Sequence, residues 1–125
     1  MNKKLSTEDF NRFLEERLSK ISETLAKKSK EYVRNNDKLH NFNTASRLEN
    51  ISRERALHGM LLKHYISYLD ILEDIDNNKL PSIQYVEEKY GDIINYFILS
   101  EISLKHKIYD IQTNNNRETS METQN

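Results

Sequence analysis

The stretch Ser52 to Asp76, SRERALHGMLLKHYISYLDILEDID, constrains this chain more than any other. Leu57, Met60, Leu61, Leu62, Tyr65, Ile66, Tyr68, Leu69, Ile71, Leu72 and Ile75 point in almost every direction around a 3.6-residue helix. A helix that is apolar all round belongs in the middle of something. Lys63, His64 and Asp70 interrupt it, and such groups cost free energy to bury unless they have partners.

The rest of the chain reads as helix too. Two glycines and one proline among 125 residues leave few tight turns, which predicts an all-α chain. A length of 125 residues predicts one domain near the small end, where partner subunits often add burial. Nineteen basic against 20 acidic residues argue against generic duplex DNA binding. The absence of cysteine excludes disulfides and thiolate metal sites, so a metal would take Asp, Glu, His or Asn. No run approaches a membrane span, and a cytoplasmic protein of a host cell is expected.

Residues 1–5 read as a loose tail. Ser6 caps a first helix, with Asp9 three residues on, and Leu14, Leu18, Ile21 and Leu25 recur at helical spacing. The same rhythm places Lys28 and Tyr32 inward or at a helix seam. There the Lys28 stem packs with its ammonium at water, or it meets a phosphate or carboxylate. A polar connector follows, with Leu39, Phe42, Ala45 and Leu48 marking a short helical piece. Ser52 caps the central helix, and Asn77, Asn78 and Leu80-Pro81 end it. A last helix begins near Ser82 with an expected core stripe of Ile83, Val86, Tyr90, Ile93 or Ile94, Phe97, Ile98, Leu104 and Ile108. Gly91 inside it costs roughly 1 kcal/mol relative to Ala, which is explained if something packs closely there. Residues 112–125 hold almost no apolar side chain and are expected to be disordered. The expected domain is therefore 6–111: three main helices plus a partly helical connector, completed by homo-oligomerisation.

Gly-rich phosphate loops, zinc-binding His pairs, EF-hands and nucleophile elbows are absent from the sequence. What remains is a set of polar groups on inward helix faces: Lys28 and Glu31, then Lys63, His64 and Asp70, then Glu88, Asp92 and Asn95. Facing helices of a bundle gather such groups around one cavity. Each also has an ordinary reading, His64 as a hydrogen-bonded core residue and Glu88 with Asp92 as an acidic edge near a helix start.

Three segments carry a resemblance: KSKEYVRNNDKLHNFNTASRL (28–48), ALHGMLLKHYISYLDIL (56–72) and EEKYGDIINYFILSEI (87–102). Together they resemble a family of small phage and prophage proteins. The matching positions include Lys28, Lys30, Glu31, Tyr32, Asp37, Leu39, Asn41, Phe42, Met60, Lys63, His64, Asp70, Glu88, Lys89, Asp92, Asn95 and Tyr96. More remotely, Glu88 to Tyr96 is similar to the second acidic helix of the MazG-type and dimeric dUTPase-like all-α nucleotide pyrophosphohydrolases. There, paired carboxylates on two helices hold Mg²⁺ against a triphosphate. Here the spacing is Glu88-x-x-x-Asp92, and the preceding helix offers Lys63, His64 and Asp70 where that superfamily has Glu-x-x-Glu.

The resemblance implies a phage-type protein that binds a phosphorylated nucleotide or nucleotide signal between its helices, with hydrolysis as a further step. Lys28, Lys30 and Lys63 would meet phosphate, His64 and Asp70 would act as acid, base or ligand, and Glu31, Glu88 and Asp92 would hold Mg²⁺. The alternative is a non-enzymatic helical protein that binds a host or defence protein, its polar groups serving as structural networks.

Overall fold

The computed structural model describes residues 4–32, 37 and 39–123, without the side chains of 28, 29, 31, 32, 122 and 123. The chain is all-α. Its elements are α1 (Thr7–Tyr32), α2 (His40–Glu49), α3 (Arg53–Asp76) and α4 (Ile83–Thr123).

Serine hydroxyls start three of the four helices. Ser6 Oγ accepts from the Asp9 N–H at 3.0 Å, Ser52 Oγ from Arg55 at 3.1 Å and Ser82 Oγ from Tyr85 at 3.0 Å. Each hydroxyl satisfies a donor that the first helical turn leaves without an internal partner. The short α2 leans on Asp37 instead, whose carboxylate accepts from the Leu39 N–H at 2.9 Å and from Asn43 Nδ2 at 3.0 Å. Asn50 ends α2 in the left-handed region, at φ 56°, a conformation asparagine tolerates.

The Leu39 N–H first, and then the Asn43 amide, hold the Asp37 carboxyl below its ordinary 3.8. A folded-state value below the unfolded one stabilises the fold above the ordinary value, and that gain is lost as pH falls through the lowered one. Asp37→Ala is expected to cost about 1 kcal/mol at neutral pH. In urea titrations the difference from wild type should shrink steadily below pH 4.

α3 and α4 form an antiparallel hairpin: Arg53 meets Ser103, His64 meets Asp92 and Tyr68 meets Tyr90. α2 lies over its open end, where Leu39, Phe42 and Leu57 form a buried cluster flanked by Met60, Tyr96 and Leu99. α1 packs along the first turns of α4, where Arg17 Nη2 donates to the Glu87 carbonyl at 2.9 Å.

Four expectations are corrected by the structure. The central helix is not surrounded: only Ala56, Leu57 and Ile71 of α3 are buried, and Leu62, Tyr65, Ile66, Leu69, Leu72 and Ile75 are exposed. The anticipated core stripe of α4 likewise faces outward at Ile83, Tyr90, Phe97, Leu104 and Ile108. What meets α3 and α1 is a different face, carrying Gly91, Asp92, Asn95, Tyr96, Leu99 and Ser103, because its small and hydrogen-bonding side chains admit a neighbouring helix. Finally, α4 runs on through the segment expected to be disordered, as far as Thr123. Its backbone hydrogen bonds continue a helix already nucleated upstream, so each further residue adds a bond without a new nucleus. In α2, Leu48 is exposed rather than packed.

Candidate functional site

A cleft of about 570 Å³ opens between α1 and the first half of α4. Its wall on α1 is Arg17, Lys20 and Thr24, and its wall on α4 includes Glu87, Glu88, Gly91, Asp92 and Asn95. A volume of this size suits a small-molecule ligand.

Gly91 positions the first side chain. A Cβ there would lie 2.8 Å from Arg17 Nη1, so the missing side chain is the space the guanidinium occupies. The close neighbour that a mid-helix glycine calls for is therefore Arg17. Lys20 sits one turn on and pairs with the Glu87 carboxylate. Deeper in, Asn95 is 5% exposed and its Oδ1 has no hydrogen-bond partner among the described residues. A buried acceptor left without a partner costs about 1–3 kcal/mol.

Asp92 joins the cleft to the hairpin. Its Oδ2 lies 3.4 Å from His64 Nδ1, and both side chains are about three-quarters buried. The His64 ring stacks on Tyr96 at 5.0 Å between centroids, 26° from parallel. With Nδ1 directed at the carboxylate, Nε2 is the nitrogen left to take or give a proton.

The sequence-derived candidates divide accordingly. His64 and Asp92 come together as a pair, and Glu88 lines the same cleft as Asp92, although its own side chain is largely exposed. Lys63 and Asp70 do not join them. Both are exposed, and seven residues apart they share a flank of α3 about 100° from His64. Lys30 is exposed on α1 and lines none of this cleft. The side chains of Lys28 and Glu31 lie outside the described residues. Among the described residues, no three His, Cys, Asp or Glu side chains gather as a metal-holding group, and no helix is long and apolar enough to cross a membrane.

Arg17 and Lys20 are the functional candidates that sequence reasoning missed. Their signal was Gly91, whose demand for a close neighbour could have been met from the Arg17 face of α1. No family model, curated protein or solved structure matches the chain.

Proposed function

We propose that the chain is a nucleotide-handling protein, working as a homo-oligomer, that binds a phosphorylated nucleotide or nucleotide signal in the α1/α4 cleft. The observation that carries this reading is the unpartnered, buried carbonyl of Asn95 in a cleft whose rim holds Arg17 and Lys20. An amide at the base reads a donor on the ligand, such as an exocyclic amine or a sugar hydroxyl. The guanidinium and ammonium at the rim face the phosphates. The phosphate role expected of Lys63 and Lys30 passes to these two residues.

Three carboxylates, Glu87, Glu88 and Asp92, outnumber the two cations of the lining, so phosphate enters more readily with a divalent cation. Mg²⁺ in such sites is held by one or two carboxylates plus the phosphates themselves, and Glu88 with Asp92 would supply these. Bound there, the ion would neutralise phosphate charge. His64, steadied by Asp92 and Tyr96, would hold or release a proton at Nε2.

Thermal unfolding tests the reading. A nucleoside triphosphate with Mg²⁺ is expected to raise the melting temperature by several degrees, more than either alone. Asn95→Leu, which removes the unpartnered carbonyl, should fold at least as stably as wild type yet lose the shift. Lys20→Ala should lose most of it, and Lys63→Ala should keep it. A panel in which no nucleotide moves the transition, or in which the shift survives Asn95→Leu and Lys20→Ala, sinks the proposal. A second reading, a helical protein that occupies a protein partner, is favoured by the uncovered apolar stripes of α3 and α4. It predicts no nucleotide effect at any Mg²⁺ concentration.

A further inference from the structure

We infer that the exposed stripes of α3 and α4 are one surface, and that a second copy of this chain covers it, hairpin against hairpin about a two-fold axis.

A chain of rings shows that the stripes belong together. Tyr65 on the α3 stripe lies 5.7 Å from Tyr68, and Tyr68 lies 5.5 Å, edge-on, from Tyr90 on the α4 stripe. Both stripes therefore flank one seam of the hairpin. The cleft lies elsewhere, on the Gly91 and Asn95 side of α4, so the inference rests on the homo-oligomer part of the reading above and stands or falls apart from its nucleotide part.

The spacing identifies what the surface expects. On α3 the exposed residues Leu62, Tyr65, Leu69 and Leu72 follow a 3-4-3 rhythm. On α4 an exposed apolar side chain recurs at every seventh position from Ile83 through Phe97 to Ile111. This narrow a/d seam is what packs against another helix. The stripe also outruns its own hairpin. Lys107, 3.5 Å from Glu54, marks where α4 passes the start of α3, and Ile108 and Ile111 continue the apolar line beyond it.

Only a helix as long as α4 matches that line, and α4 of a reversed second copy does so with itself. Phe97 stands midway between Ile83 and Ile111, so antiparallel copies crossing at Phe97 place apolar against apolar along the whole length. Wholly covered, the exposed side chains of the two stripes would bury an area on the order of the ~800 Å² per partner of a standard interface. Inside the chain only Leu39, Phe42, Ala56, Leu57 and Ile71 are buried hydrophobics among the described residues. A fold with so small an interior needs its cover whenever it is folded, and the one partner always present in equal amount is another copy. Two hairpins closed in this way make a four-helix core.

Sedimentation equilibrium on the full chain should give twice the 14.9 kDa chain mass at micromolar concentration. Phe97→Glu with Leu69→Glu, both at positions exposed in the single chain, should return the mass to 14.9 kDa or abolish folding. A cross-link guards against the second outcome. The chain has no cysteine, so Phe97→Cys places one thiol per copy beside the axis, and mild oxidation should yield a disulfide-linked dimer with native helicity. Lys63→Cys, on the flank of α3, should stay unlinked. A wild-type mass of 14.9 kDa at every concentration overturns the inference. So does a dimer that tolerates both glutamates, a Phe97→Cys protein that links no better than Lys63→Cys, or a stripe that binds only a different protein.

Discussion

Phe42→Ala is expected to cost about 3–5 kcal/mol, the range for emptying a buried aromatic site. Phe42 is 1% exposed and belongs, with Leu39 and Leu57, to a buried cluster that ties α2 to the hairpin. Met60, Tyr96 and Leu99 close around that cluster from α3 and α4. Removing the ring empties the point where three helices meet, and so few other buried side chains remain that the surroundings have little material with which to refill it. Urea unfolding followed by circular dichroism measures the effect as a lower midpoint. A loss under about 1 kcal/mol would mean that α2 is a dispensable appendage and that the stability resides in the hairpin alone.

The second large effect is polar. Arg53 donates from Nε to Ser103 Oγ at 2.6 Å, from Nη2 to the Ser103 carbonyl at 2.8 Å and from Nη1 to Asn43 Oδ1 at 3.4 Å. One guanidinium thus bonds α3, α4 and α2 together. Ser103 is fully buried, so Arg53→Met leaves its hydroxyl without that donor and without water. The expected cost is about 2–3 kcal/mol, since bonds to a charged group are the strong ones. Ser103→Ala removes the stranded hydroxyl, so Arg53→Met combined with Ser103→Ala should be less damaging than the sum of the two changes. A double-mutant cycle that came out additive would show that the network does not act as a unit.

The helix starts and the all-α class were legible because they depend on local chemistry. A serine hydroxyl before an apolar run caps a helix whatever lies elsewhere, and Ser6, Ser52 and Ser82 all do so. The facing of α4 was not legible. A heptad-spaced stripe such as Tyr90, Phe97 and Leu104 announces that something will cover it, with no statement of whether the cover is in the same chain. The intrachain face, built on Gly91, Asn95 and Ser103, carries too little hydrophobicity to be recognised as a packing face. The site divides in the same manner. His64 and Asp92 meet because each lies on a face turned toward the other helix, whereas Lys63 and Asp70 share only a segment with His64. Arg17 and Lys20 escaped because their role depends on the α1/α4 crossing, a long-range contact that neither helix encodes alone.

The overhang of α4 makes this helix a ruler. Up to Lys107 its amides are shielded by packing against α1 and α3, while a free helical stub of the length that remains is marginal in water. Hydrogen exchange along α4 should therefore fall into a slow block and a fast block. In a single chain the step between them comes just after Lys107. A second copy lying along the stripe moves it past Ile111, by one helical turn. The position of that step, read amide by amide, reports how far the neighbouring chain extends.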